Sequence, residues 1–178
     1  MYLVDTNVML AASAVSELSN QAVRAMPQEI ELREMIYERL ADFDLSDRRI
    51  VLDEEGLVRD EFERNMPFNL REQEYGMQVL QSKLDRNLVD FVHIDSLRAN
   101  GEHIAVLAPA HEALVTDRED RKWVACALAA QVLFERMPPI VYGAETDWFI
   151  AEEQLGGIGL LFQRLLPDNW YISRVGLG

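Results

Sequence analysis

The chain has 178 residues, 49% of them hydrophobic and 27% charged, enough for a domain with its own core and unlike the composition of a disordered chain. Its formal net charge of −14 excludes broad, non-specific attraction to nucleic acid, whose phosphates are repelled at long range. A nucleic-acid enzyme stays compatible with that charge only if bound metal or a local basic patch supplies the phosphate contacts.

Tyr2, Leu3 and Val4 predict a short buried strand that ends at Asp5. Small and apolar residues from Val8 to Val15 predict a helix start. From Glu29 to Phe43, Leu32, Met35, Ile36, Leu40 and Phe43 recur at helical spacing, and Pro27 suits that helix's first turn. Ile50-Val51-Leu52 predicts the second strand. Gly56 marks a turn, and Leu57 to Phe62 opens a helix that Pro67 interrupts before Leu70 to Leu84 resumes the pattern. Leu88 to Ile94 predicts the third strand, followed by a turn from Arg98 to Glu102. His103 to Val115 fits neither period. Thr116-Asp117-Arg118-Glu119 predicts a capped helix start, and Trp123 to Ala130 a helix whose alanines permit close packing on a sheet. Pro138-Pro139 ends it. Ile140-Val141-Tyr142 predicts the fourth strand, Trp148 to Leu155 a short helix, Gly156 to Gly159 a turn, and Leu160 to Leu166 a last strand or helix.

Strands alternating with helices predict an α/β domain with a mainly parallel sheet. We expect one domain over residues 1–178 with a helical elaboration at about residues 15–45. No apolar run approaches the roughly 18 residues of a membrane span. The opening Met1-Tyr2-Leu3-Val4-Asp5 is too short and acidic for a signal peptide. The single cysteine, Cys126, lies among alanines and reads as a core residue, which fits a reducing cytoplasm.

Acidic residues recur where an apolar run gives way to a loop or helix: Asp5, Glu61, Asp120, then Glu145 and Asp147. In open α/β sheets, ligands bind beyond the carboxyl ends of the strands, so such acids converge at one edge. Clustered carboxylates repel unless a cation neutralises them, and hard oxygen ligands select Mg2+ or Mn2+. Such an ion lowers the pKa of bound water and steadies charge during phosphodiester cleavage. Thr6 and Asn7 are candidates to orient Asp5 or a metal-bound water. Arg118, Arg121 and Lys122 flank Asp120 and are candidate phosphate contacts or partners of nearby acids. Each acid also has a plain reading: a loop residue at Asp5, a helix-dipole acid at Asp120, a solvated helix residue at Glu61. His93, His103 and His111 lack tight ligand spacing. No G-x-S-x-G elbow and no P-loop occurs. Trp123 and Trp148 read as core.

The segment Tyr2-Leu3-Val4-Asp5-Thr6-Asn7-Val8 resembles the start of PIN domains, a family of metal-dependent nucleases. Glu61-Phe62 is similar to the family's Glu-Tyr, Asp120-Arg121-Lys122-Trp123-Val124-Ala125-Cys126-Ala127 to its acid followed by an alanine-rich helix, and Glu145-Thr146-Asp147-Trp148 to its late Asp-x-Asp-Trp pattern. The resemblance implies a three-layer α/β/α fold and a Mg2+- or Mn2+-dependent endoribonuclease acting on single-stranded RNA. The metal-site acids it implies are Asp5, Glu61, Asp120 and Asp147, with Glu145 beside them. Glu145 stands where Asp is more usual, which leaves Glu145 against Asp147 open; Asp117 is an alternative beside Asp120, and Glu55 competes with Glu61. Family likeness also implies a toxin of a toxin–antitoxin pair, an antitoxin partner and a homodimer. Two other functions suit the same residues: a non-catalytic PIN-fold module whose acidic surface binds a basic protein, and a metal-dependent phosphohydrolase.

Overall fold

A computed structural model describes residues 1–99, 101–115 and 117–176. The first apolar run forms β1 (Leu3–Val4), and Asp5 turns the chain directly into α1 (Thr6–Ser13). Residues 14–29 form turns and bends before α2 (Ile30–Leu45) and β2 (Ile50–Asp53). Then come α3 (Leu57–Asn65), a 3-10 turn at Phe68–Leu70, α4 (Tyr75–Asp85) and β3 (Val89–Val92). A hairpin of β4 (Ser96–Ala99) and β5 (Glu102–Ala105), with the single-turn α5 (Pro109–Glu112), leads to α6 (Arg121–Phe134). β6 (Ile140–Tyr142), α7 (Thr146–Gly157), β7 (Phe162–Arg164) and α8 (Asp168–Val175) follow.

The fold is mixed α/β with a small parallel sheet. β1 pairs with β6, β6 with β7, and β2 with β3, all parallel. A parallel bridge between Tyr2 and Ile50 joins the two parts, with Tyr2 N–H donating to the Arg49 carbonyl at 2.9 Å and Val51 N–H to the Tyr2 carbonyl at 2.9 Å. The strands therefore run in the order β3-β2-β1-β6-β7. The chain builds outward from β1 through β2 to β3, then returns to the other side of β1 for β6 and β7. The order reverses between β1 and β6, and a crevice at such a switch point, beyond the carboxyl ends of the strands, is where open parallel sheets bind ligands. Asp5 follows β1 there and Glu145 follows β6.

Leu3, Val4, Ile50, Val51, Leu52 and Ile140 are all buried, as parallel strands covered on both faces require. α6 packs on β1, β2 and β3, while α1 packs against α2, α3 and α4. The α1–α4 contact is so close that a Cβ at Gly76 would lie 2.6 Å from Met9 Cβ and 2.9 Å from Met9 Cα. Gly76→Ala gains about 1 kcal/mol of helix propensity but overpacks the backbone of α1, which costs roughly 1–3 kcal/mol and more when no flexible side chain can yield. Urea denaturation should show a net loss of stability; a gain would mean that α1, which carries Asp5 at its head, is free to move away.

Several sequence expectations need correction. Pro27 lies before α2 rather than in its first turn, and its carbonyl accepts from Arg33 Nε at 2.5 Å. The expected turn falls within a hairpin, with Arg98 and Ala99 ending β4 and Glu102 opening β5, which periodicity misses because Leu97 and Arg98 are both exposed. Residues 117–120 form a turn, and the helix begins at Arg121. Gly156 and Gly157 end α7, and the turn proper is Gly159 at φ +97. The last apolar run holds a strand, β7, and α8 was not foreseen. Thr116, in the expected helix start, and Asn100, in the expected turn, lie outside the described residues.

Candidate metal centre

Asp5 is buried and is the N-cap of α1. Its Oδ1 accepts from Asn7 N–H at 2.9 Å and Asn7 Nδ2 at 2.6 Å, and its Oδ2 from Trp148 Nε1 at 2.7 Å. Asn7 also ties β1 to β6, since its Oδ1 accepts from Gly143 N–H at 2.8 Å. A Cβ at Gly143 would stand 3.0 Å from that oxygen and 3.2 Å from Ile36 Cδ1, so a larger residue after β6 requires Asn7 or Ile36 to give way. Burial pushes the Asp5 carboxyl up to about 7. The Asn7 and Trp148 hydrogen bonds resist that rise, and the charges of Glu61 and Glu145 add to it.

Asp120 opens α6 but makes no side-chain capping bond. Contrast Asp53, a buried acid at the end of β2 whose two oxygens accept from Leu57 N–H at 2.6 Å and Val58 N–H at 2.8 Å, capping α3. Asp53 is satisfied by its helix; Asp120 is not. Burial pushes the Asp120 carboxyl up to about 8, aided by the charges of Asp5, Asp117 and Glu145 and opposed by Lys122. Glu145 caps α7 and accepts from Asp147 N–H at 3.4 Å; burial raises its pKa, and the charges of Asp147 and Asp117 raise it further. The structure thus brings Asp5, Asp120 and Glu145 into one another's field. Asp147 is exposed, and its charge acts on Glu145 rather than among the larger influences on Asp5 or Asp120. Asp117 is exposed and accepts from Glu119 N–H at 2.8 Å.

Glu61 approaches from α3 and ties three helices together: its Oε1 accepts from the Thr6 hydroxyl of α1, and its Oε2 is ion-paired with Lys122 of α6. Of the two residues expected to orient Asp5 or a metal-bound water, Asn7 bonds Asp5 and Thr6 bonds Glu61. Of the three basic residues, Arg118 is exposed, Arg121 is ion-paired with Glu112, and Lys122 is buried on Glu61 and the Glu119 carbonyl. Lys122 and Arg121 are therefore not free to hold a substrate phosphate. Of the two roles expected for them, both take that of partner to a nearby acid, Glu112 for Arg121 and Glu61 for Lys122.

Glu55 does not compete for the cluster. It bonds Ile94 N–H at 3.3 Å and lies 2.6 Å from His93 Nδ1. Glu54, Glu55 and His93 are the one group among the described residues whose ligand atoms all lie within 4.8 Å of one another. It lies at the carboxyl ends of β2 and β3, with Glu54 and His93 exposed and Glu55 half-buried, and such acidic groups are common without an ion. The carboxylates of Asp5, Asp120 and Glu145 are spaced more widely than that. The all-oxygen donor set suits Mg2+, but at that spacing the three cannot all touch one ion; Mg2+ takes only one or two direct carboxylates beside waters and substrate phosphates, so at least one of the three would reach it through water. An ionised carboxylate has about four acceptor positions, so three protein donors on Asp5 leave room on Oδ2 for an ion.

A groove of about 1090 Å3 runs from Asp117 and Lys122 along α3 and the β4–β5 hairpin, past Arg64, His103 and Arg118. Two contacts at the centre were unforeseen from sequence. Trp148 is a core residue, as expected, but its indole N–H is also the donor that fixes Asp5, 143 positions away. The Glu61–Lys122 pair likewise joins residues with no local pattern in common. Among the described residues, no helix is long and apolar enough to cross a membrane. The chain matches no protein-family model, no curated protein and no solved structure.

Proposed function

We propose that the chain is a Mg2+- or Mn2+-dependent endoribonuclease of PIN type, with the three-layer α/β/α arrangement of that family, cleaving single-stranded RNA. The observation that carries this reading is that Asp5 and Glu145 follow β1 and β6 at the strand-order reversal and that Asp5, Asp120 and Glu145 act on one another's charge, burial and repulsion holding their pKa values up. Acids so arranged are stabilised in their charged form by a cation.

Asp5 and at least one of Asp120 and Glu145 would hold the ion, with the other reaching it through water. Asp147 would reach it only by turning inward, and Glu61 only by releasing Thr6 or Lys122. When bound, the ion supplies neutralisation of phosphate charge and an acidified water as nucleophile. The chain's own residues do the rest. Trp148 and Asn7 fix the rotamer of Asp5, and the Asn7–Gly143 bond keeps the ends of β1 and β6 in register. The groove beside Asp117 offers Arg118 to a bound strand; Arg64, on the same wall, is ion-paired with Glu119 at 3.2 Å and would reach the strand only by leaving it. The groove's acids, Asp60, Glu63, Glu102 and Glu119 among them, keep that surface from attracting RNA without metal. Within this reading the cytoplasm, an antitoxin partner and a homodimer belong to the toxin form of the family.

Purified protein should cleave single-stranded RNA with Mn2+, leave 5′-phosphate ends and stop on addition of EDTA. Cleavage untouched by EDTA, or no cleavage with saturating Mn2+, would overturn the reading. Faster turnover of small phosphorylated nucleotides than of RNA would redirect it to a phosphohydrolase. The net charge of −14 supports one second reading, a module that binds a basic protein, and calorimetry showing no Mn2+ binding would favour it.

A further inference from the structure

One face of the sheet carries a cavity. Val4, Val141 and Gln163 stand in one register row across β1, β6 and β7, so they share a face. The opposite face is covered by α7, where Trp148 meets Phe162 with ring centroids 5.7 Å apart. On the Val4 side a space of about 350 Å3 remains between α2 and the strands. Its floor is apolar and buried, made by Val4, Val8, Leu40, Val141 and Leu165. Protein interiors leave few voids larger than a water molecule, whose share of liquid volume is about 30 Å3, and small-molecule sites begin near about 300 Å3.

The mouth of this cavity is basic. Arg39 of α2 and Arg48 of the α2–β2 connection both line it and are exposed. Arg48 lies over the Tyr2 ring, 5.5 Å from its centroid, and Tyr2 packs edge-on against Phe43, so a guanidinium and an aromatic wall come together. Elsewhere Arg49, Arg64, Arg86, Arg121, Arg164 and Arg174 are each ion-paired. Among the described residues Arg39 and Arg48 form no such pair, in a chain with 31 acids against 17 lysines and arginines. Asp42, one turn on from Arg39, lines the same cavity, and Gln163 adds a neutral amide from β7. The Ser46 hydroxyl is occupied, donating to the Phe43 carbonyl at 2.7 Å. Two guanidinium groups and one carboxylate leave a single positive charge beside an apolar floor.

We propose that this cavity binds a small monocarboxylate with an apolar body, its carboxylate at Arg39 and Arg48 and its body on Val4, Val141 and Leu165. The fork of a guanidinium matches a carboxylate with paired N–H donors, and the body takes the floor out of contact with water. Asp42 sets the charge: it repels a second anionic group, so dicarboxylates and phosphate dianions are disfavoured. The site stands apart from the acids after β1 and β6 and holds whether or not they take a metal.

Calorimetry with octanoate and with hydrocinnamate, in EDTA so that metal plays no part, tests this. One molecule of either acid should bind per chain. Octanamide, the same body without the charge, should bind at least about tenfold more weakly, the worth of one charge-assisted hydrogen bond, and so should suberate, which adds a second carboxylate. Arg39→Gln and Arg48→Gln, both at exposed positions where the fold is undisturbed, should each weaken octanoate about tenfold and leave octanamide unchanged. No binding of either acid at millimolar concentration, equal affinity for octanoate and octanamide, or wild-type affinity in both arginine variants would overturn the proposal. Tighter binding of hexyl phosphate than of octanoate would overturn the choice of a carboxylate. Self-association that depends on Arg39 and Arg48, without uptake of octanoate, would give the face to a second copy of the chain instead.

Discussion

Asp5→Asn should lower Mn2+-dependent RNA cleavage by about a hundredfold or more. Loss of a group that merely orients a metal ligand costs roughly 10–100-fold, and a direct ligand is worth at least that. The fold should survive, because Asn caps a helix about as well as Asp. The local cost is one mismatched contact. With Asn7 donating twice to Oδ1, the new amide must turn its NH2 toward Trp148 Nε1, donor facing donor. That costs about 1–3 kcal/mol, small enough for a cooperative unfolding transition to remain measurable at wild-type temperature. Cleavage at the wild-type rate by a folded Asp5→Asn chain would take Asp5 out of the chemistry and the nuclease reading with it.

Without divalent metal the protein should lose stability as pH rises from about 4 to about 8, opposite to the usual behaviour of a carboxylate-rich protein. Asp5 and Asp120 have ordinary values of 3.8 and reach about 7 and about 8 in the fold. Between those limits the folded chain binds protons that the unfolded chain has released, so the slope of unfolding free energy against pH is negative. The contribution is fully present below pH 4 and is lost as pH climbs through the folded values. At about 1.4 kcal/mol per pKa unit, and with the two acids sharing part of one effect, the loss is roughly 3–5 kcal/mol, or about 10 °C in Tm for a chain of this size. Asp120→Asn should flatten the profile and stabilise the chain at pH 8, since Asp120 has no capping bond to lose. Saturating Mn2+ should reverse the slope, because ions and protons compete for the same oxygens. Thermal melts in EDTA at pH 5 and pH 8 check this. A Tm that rises between them would mean that the acids are solvated singly and do not form a cluster.

The parts of this fold that sequence revealed are those where burial dictates composition. β1, β2, β3 and β6 are apolar runs because a parallel strand is covered on both faces, and α6 is alanine-rich because it lies on three of them. The position of Asp5 was legible for the same reason: a carboxylate directly after a buried strand emerges at the carboxyl edge. What sequence hid was pairing at a distance. Nothing near Trp148 says that its indole reaches Asp5, and nothing near Lys122 says that Glu61 consumes it. Glu145 against Asp147 was undecidable from spacing; the turn after β6 puts Glu145 at the N-cap and half-buried, and leaves Asp147 exposed in the first turn of α7. The β4–β5 hairpin was hidden because a strand pair exposed along much of its length carries no hydrophobic alternation. His93 met Glu54 and Glu55 only because β2 and β3 are neighbours, which no local spacing encodes.

The central claim is that Asp5, Asp120 and Glu145 share a cation, and the most direct measurement is a crystal structure of the protein soaked in Mn2+, with the ion located by its anomalous scattering. The account predicts a peak at the reversal between β1 and β6, within about 2.0–2.6 Å of oxygens from Asp5 and at least one of Asp120 and Glu145. A peak only at Glu54, Glu55 and His93, or none in the crystal at all, would contradict it.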